Sequence, residues 1–353
     1  MAIKRHVTRN DVAHEAGVSP AIVSYVVNNG PRPVAPETYK RVIEAIERLG
    51  YKPNAIARSL RLQRTSTIGL ILPDTQNPYF AEVVRGVEKI ASQHGYSIIL
   101  CHSDYSLEQE IRYVNVLESE RVAGVLWFPA TDNAKPQQIL SESGVPVVIL
   151  DRIVSGLQAH CVIADNFRGG YLATKHLIQL GHSRIGCIAR PLDLYHSQER
   201  VRGYRAALSE NGLPDDSSLI VKGGFRLEDG RSAAIQLFDQ QPPPTAIFAY
   251  NDFMALGALR AASERGLNIP NDVSIIGFDD IPQSSFTVPA LTTIRQPKLE
   301  MGCRGAELLL DLITKKKRRN AVESPLGVQL IIRESTARVA SPELVKESVT
   351  ESG

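Results

Sequence analysis

Eight short apolar runs constrain this chain more than any other feature. From Thr67 onward, TIGLILPD, SIILC, AGVLWF, PVVIL, HCVIAD, RIGCIA, AIFAY and VSIIGFDD recur between longer segments, such as Asp104 to Ser119 and Phe253 to Arg265, whose apolar residues fall at helical spacing. Short β-rich runs alternating with amphipathic helices are the pattern of βαβ units, in which a parallel sheet is covered by helices on both faces. The body is therefore α/β. Eight such runs over about 270 residues exceed what one open sheet usually holds, which predicts two similar sheets with a boundary near Ala164 and a cleft between two lobes. Gly95, Gly181, Gly212 and Gly266 stand where helix C-terminal glycines belong.

The first 50 residues have another texture. In NDVAHEAGVSPAIVSYVVNN, Gly17 supplies a tight turn and Ala13, four residues earlier, is small enough for a second helix to approach. Val18, Val23 and Val26 lie at the spacing that buries one face of that helix, with Ser19 as N-cap and Pro20 at its first position. These are the demands of a helix-turn-helix. The outer face then presents Pro20, Ala21, Ser24, Tyr25 and Asn28 to a major groove. An ordinary two-helix corner would explain Gly17 and the valines alone. A third helix follows from Glu37 to Leu49, packing Val42, Ile43 and Ile46, and ends at Gly50. The basic connector YKPNAIARSLRLQRTST permits a short helix from Asn54 to Leu60, which would order only against a partner such as a minor groove; the alternative is a flexible linker.

Charge distribution bears on that choice. The 353 residues carry a net charge of only +2, yet residues 1 to 65 hold eleven Lys and Arg against five Asp and Glu. A basic head on a mildly acidic body is the footprint of a protein that meets DNA. No apolar run reaches the roughly 18 residues of a membrane span, so a cytoplasmic protein is expected. The four cysteines form no CxxC pair and the eight histidines no HxxxH or HExxH, so neither a disulfide framework nor a metal site is indicated. GxGxxG, GxxxxGK[ST] and GxSxG are all missing, which disfavours an enzyme and leaves no catalytic residue or cofactor to assign. A free solute-binding protein would explain two lobes but leave the basic head without purpose. The run Lys315 to Arg319 reads as a solvated connector, and no leucine heptad follows Arg338, which favours a homodimer over a tetramer.

Several long motifs, among them DVAHEAGVSPAIVSYVVN, RVIEAIERLGYKPNAIARSLR, TIGLILPDTQNPYFAEVVRGVEKIA, GHSRIG, NDFMALGALRAASERGLNIPNDVSIIGFDD and PALTTIRQPKLEMG, resemble the LacI/GalR family of bacterial transcriptional regulators across residues 8 to 338. The resemblance implies a dimeric repressor of operator DNA with a head at 1–53, a hinge helix and linker at 54–65, and a periplasmic-binding-protein-like body at 66–338. The body's N-lobe would comprise about 66–164 and 292–325, its C-lobe about 165–291 and 326–338, followed by a disordered tail at 339–353. It also implies DNA contacts from Thr8, Ser19 and Arg32, with Tyr25 and its neighbours reading the major groove. Asn54 would begin the hinge helix, which includes Ala57; Leu60 would wedge into the central base step, and Arg61 would follow it in the minor groove. Ile22 departs from the threonine common in the family, and the loop NGPRPVAP carries an extra proline.

For the body, the resemblance places an effector in the interlobe cleft, where open α/β sheets bind ligands beyond their strands' carboxyl ends. Asp74, Tyr79 and Phe80 would come from the segment after the first run, and Asp151 from the end of another; Asp151 and Arg152 could equally pair across the lobes. Arg200 matches the family's effector-clamping arginine, Phe225 an aromatic wall, Asn251 with Asp252 a polar pair and Asp279 a ligand-accepting carboxylate, although Asp279 could instead cap the next helix. Aromatic faces beside Arg, Asn and Asp suit a sugar or sugar acid. Leu194 and His196 stand where purine-responsive members place arginine and threonine, which weakens a nucleobase reading; a partner protein is a further alternative.

Overall fold

The computed structural model describes residues 7–28, 32–51, 65–131, 133–154, 159–190, 194–314 and 324–339. The hinge positions Asn54, Ala57, Leu60 and Arg61, the run Lys315 to Arg319 and the segment from residue 340 lie outside the described residues, as does the side chain of Asn28. The chain divides into two compact units, Met1–Thr65 and Ser66–Gly353.

The smaller unit is built from α1 (Arg9–Glu15), α2 (Pro20–Asn28) and α3 (Pro36–Leu49). Thr8 caps α1: its Oγ1 accepts from the Asp11 amide at 3.4 Å while Asp11 Oδ2 accepts from the Thr8 amide at 2.7 Å, a reciprocal capping box. Gly17 turns the chain with φ +62°, a left-handed conformation that an L side chain resists. Ser19 Oγ accepts from the Ile22 amide at 3.4 Å, opening α2 as its Ser-Pro start predicts. Val12, Ala13, Val23, Val26, Val42 and Ala45 form the core, with Val18, Ile43 and Ile46 packed against it. Ile22 joins this apolar layer, so the departure from threonine serves packing.

The larger unit holds two sheets. In chain order its elements are β1 (Thr67–Leu72), α4 (Pro78–Gln93), β2 (Ser97–His102), α5 (Leu107–Ser119), β3 (Val125–Trp127), α6 (Lys135–Glu142), β4 (Val147–Leu150) and β5 (His160–Val162), which make the first lobe. Then come α7 (Asn166–Gln179), β6 (Ile185–Ala189), α8 (Tyr195–Glu210), β7 (Ile220–Lys222), α9 (Leu227–Phe238), β8 (Ala246–Ala249), α10 (Asp252–Glu264), β9 (Ser274–Asp279), β10 (Thr292–Arg295), α11 (Lys298–Thr314) and β11 (Gln329–Ile331). The first sheet has the order β2-β1-β3-β4-β5 and is wholly parallel; the second has the order β11-β10-β9-β8-β6-β7 and is parallel except for β11 on β10. Its strands β6, β8 and β9 are buried along their whole length because helices cover both faces.

One expectation is corrected. The resemblance returns the chain to the first lobe at about residue 292, but β10 pairs with β9 from Thr292 to Arg295, so the chain leaves the second lobe only after Arg295. Leu308 to Ile313 belong to the last turns of the 17-residue α11. The predicted C-terminal glycines all have positive φ, from +67° at Gly212 to +91° at Gly181.

One packing device sets the position of the site. At Gly170 of α7 a Cβ would lie 2.1 Å from the Arg200 carbonyl, and at Gly203 of α8 it would lie 2.1 Å from the Phe167 carbonyl. The two backbones therefore touch, and α8 is held at a fixed depth beside the second sheet. Gly86 with Gly302 and Gly230 with Gly257 join α4 to α11 and α9 to α10 in the same way.

Candidate functional site

Both sheets end their strands at one cleft, and the polar residues gather there. Asp151 follows β4, Arg190 follows β6, Tyr250 and Asn251 follow β8, Asp279 closes β9, and Tyr105 lies on the loop after β2. Asp104, Tyr105, Asp151 and Asp279 have φ of 47°, 58°, 71° and 119° without being glycine. Such conformations cost roughly 1–3 kcal/mol each and persist where the surroundings enforce them, commonly at ligand sites.

Tyr250 is the hub. Arg200 lies with its guanidinium carbon 4.3 Å from the Tyr250 ring centre and 3.6 Å from that of Phe278. Its Nε donates to Asn166 Oδ1 at 2.8 Å and its Nη1 to the Tyr250 carbonyl at 2.7 Å, with Asp279 Oδ1 at 4.0 Å. Arg190 lies 3.7 Å from the Phe225 ring centre, 5.0 Å from Tyr105 and 5.3 Å from Tyr250. Tyr105 and Phe225, one from each lobe, stack at 3.9 Å and 23°. His196 packs edge-on to Tyr250, and its Nε2 lies 3.4 Å from Arg152 Nη2, so Arg152 does reach across the lobes.

Burial dominates the electrostatics. Asp279 accepts from Gln296 Nε2 at 2.7 Å, and its pKa is pushed up to about 7 by desolvation, only partly offset by Arg200. Asp151 is raised by burial, against the pull of Arg200 and Arg152. His196 is held well below its ordinary value by burial and by Arg152, Arg190 and Arg200, and is therefore neutral at pH 7. Arg152 is lowered by burial and by Arg190. Among the described residues, Asp151 Oδ1, Arg152 Nη1, Arg190 Nε and Nη2, His196 Nδ1 and Gln296 Oε1 are buried without a hydrogen-bond partner in the protein. Groups of this kind cost free energy unless something satisfies them, so their convergence makes the cleft the candidate site.

The predicted residues fare differently. Tyr79, Asp151, His196, Arg200, Phe225 and Asp279 are brought together. Phe80 belongs to a core cluster, edge-on to Tyr79 and Phe128 at 5.0 and 5.3 Å. Asp74 is half-buried and accepts from the Gln76 amide. Asn251 spends its Oδ1 capping α10 through the Met254 amide, leaving its amide nitrogen for other partners. Asp252 accepts from the Ile281 amide, Ser284 Oγ and Thr293 Oγ1 and is a structural staple. Asp279 caps no helix; the short 3-10 turn Pro282–Ser285 has Ile281 at its cap position. Arg190, Tyr105 and Tyr250 were missed, although Arg190 directly follows an apolar run, the position where strand-end ligand groups occur. In the head, Pro20 and Ala21 are exposed and Ser24 and Tyr25 partly so, while Arg32 is exposed ahead of α3.

A three-helix head and a two-lobed α/β body with a polar interlobe site define a protein class that joins a nucleic-acid-binding module to a solute-binding one. Residues 8–54 match the family of bacterial regulatory proteins, lacI family, and residues 65–334 match the periplasmic binding proteins and sugar binding domain of LacI family. The HTH-type transcriptional repressor PurR of Haemophilus influenzae (strain PittEE) is 40% identical over 337 residues, covering 94% of this chain and 99% of that protein. The lac repressor dimer bound to operator and the anti-inducer ONPF superposes with a TM-score of 0.84 at 29% identity, covering 94% of this chain and 100% of that one. The transcriptional regulator CelR-cellobiose complex gives 0.73 at 34% identity, with 94% and 100% covered. The chain belongs to the lacI family and is a DNA-binding transcriptional regulator.

Proposed function

We propose that this protein is a cytoplasmic repressor, active as a homodimer, whose operator affinity is set by a small molecule, a sugar or sugar derivative, held in the interlobe cleft. The convergence of unpartnered buried polar atoms with the aromatic rings of Tyr105, Phe225 and Tyr250 carries this reading. Rings stack on the CH faces of a polyol while the polar atoms take its hydroxyls. Phe286 and Val288, 84% and 98% exposed on the second lobe, support association of two copies through their bodies, which would present two heads to two half-sites. The outer face of α2, with Tyr25 at its centre, would enter the major groove. Asn28, Arg32, Asn54, Ala57, Leu60 and Arg61 would extend the contact to backbone and minor groove. By linkage, the factor by which the effector changes operator affinity is the factor by which operator changes effector affinity.

The test is operator binding by fluorescence anisotropy across salt. A repressor loses affinity steeply as phosphate contacts are screened and prefers one site over random duplex. Arg200→Ala should abolish the effector's influence while operator affinity without effector persists. Binding indifferent to sequence would refute the regulator reading, and an unchanged effector response would move the site elsewhere.

A further inference from the structure

We propose that the effector is an anion, bearing a carboxylate or a phosphate, and that Arg190 and Arg152 form the subsite that holds its charged end. The proposal rests on the cleft being the effector site and deepens that reading.

Hydrogen-bond demand at the cleft is lopsided. Arg200 is employed: Asn166, the Tyr250 carbonyl and Asp279 occupy its edge. Arg190 is not. Its Nε and Nη2 have no partner, and these two atoms lie side by side on one edge of the guanidinium, the fork that grips two oxygens of one carboxylate or phosphate. Phe225 and Tyr105 approach its flat face, so the ring contacts orient the fork without using it. Arg152 Nη1 is likewise without a partner, and His196 adds Nδ1. A neutral His196 whose Nε2 accepts from Arg152 must carry its proton on Nδ1, so that atom is a fourth unmatched donor. Against these stand two unmatched acceptors, Asp151 Oδ1 and Gln296 Oε1.

Charge tells the same story. With Asp279 turned to Arg200, Asp151 and Glu110 are the buried carboxylates left for Arg152 and Arg190, which are 4% and 6% exposed. Glu110, behind Arg152, accepts from Trp127 and the Ala130 amide through Oε1 while its Oε2 has no partner, and burial pushes its pKa up to about 7, so its charge offsets Arg152 only in part; Asp74 is half-buried near Tyr105. Buried guanidiniums without a matching anion are strongly disfavoured. A neutral sugar brings hydroxyls that donate as readily as they accept and cannot discharge this excess. A polyhydroxylated acid or a phosphorylated sugar does both, placing oxygens on the fork and its ring or chain against Tyr105, Phe225 and Tyr250.

The experiment uses the full chain in phosphate-free buffer, with calorimetry and thermal melting against gluconate, glucose 6-phosphate, inorganic phosphate, glucose and hypoxanthine. An anionic probe should raise the melting temperature of the body and bind at least roughly thirtyfold more tightly than glucose, as expected for a buried charged pair. Gluconate leading identifies a carboxylate; glucose 6-phosphate leading identifies a phosphate. Arg190→Ala should erase that preference, and Arg190→Gln, closer in bulk, should do so if the alanine variant folds poorly. Equal or tighter binding of glucose or hypoxanthine overturns the proposal, as does anion affinity unchanged in both variants or no response to any anion. Operator binding by the same samples tests the regulator reading separately, because anion binding is read on the body whether or not the head engages DNA.

Discussion

Trp127, the chain's one tryptophan, is fully buried, and its Nε1 donates to Glu110 Oε1 at 2.8 Å. The Ala130 amide donates to the same oxygen at 2.7 Å, while Oε2 has no partner. Burial raises the Glu110 pKa to about 7 from 4.5, despite these two bonds and Arg152 nearby. Between those values the unfolded chain has released a proton that the native state still holds, so stability falls as pH rises through the window and levels off above 7. At about 1.4 kcal/mol per pH unit, the loss is about 3 kcal/mol. Asp252 and Asp279, raised to about 6 and about 7, titrate over the same range, so the parent's pH profile does not isolate Glu110. The comparison with Glu110→Gln does. The glutamine oxygen still accepts from Trp127 and Ala130 but has no proton to lose. Urea unfolding followed by circular dichroism from pH 4.5 to 7.5 should show the variant gaining about 3 kcal/mol on the parent. Tryptophan emission of the native parent should shift with a midpoint near 7 and stay flat in the variant. A stability difference independent of pH, or an emission midpoint near 4.5, would refute the assignment of a proton to this buried carboxyl.

Leu60→Ala should weaken specific operator binding by about 1–3 kcal/mol, the worth of a lost apolar wedge, with the body's melting unchanged in calorimetry. Gly170→Ala should destabilise the body by about 1–3 kcal/mol, because its methyl group would meet the Arg200 carbonyl at 2.1 Å. The same change should weaken effector binding measured by calorimetry, since α8 carries both His196 and Arg200.

Period and punctuation carried most of the fold. Continuous apolar runs such as TIGLIL and VSIIGFD can be read from sequence because a strand buried on both faces has no polar side to confuse the period. β10 and β11 escaped: TTIR and QLI are short, and β11 is an exposed antiparallel edge. The head was legible because Gly17, Ser19 and Pro20 each act locally, through φ or a cap, without help from distant residues. The site was legible only in part. Arg200 and Phe225 could be found by resemblance, but Arg190 acquires its meaning from the rings of Tyr105, Phe225 and Tyr250, up to 85 residues away in sequence, and no local pattern encodes that meeting.

The two unmatched guanidiniums also bear on how a ligand moves the lobes. Arg152 belongs to the first lobe and Arg190 to the second, and the repulsion between them opposes closure. What holds the lobes together at the rim is modest. The Tyr105–Phe225 stack is worth about 0.5–1.5 kcal/mol beyond its buried area. The Asp104–Arg226 pair spans 3.5 Å but is 61% and 75% exposed, so solvent screens most of its attraction. An anion placed between the two arginines would convert their repulsion into two attractions. A ligand shifts an equilibrium only by its differential affinity for the two states. Here that difference would come from charge, because a neutral molecule filling the same space would leave the repulsion in place and so bind without closing the lobes to the same extent.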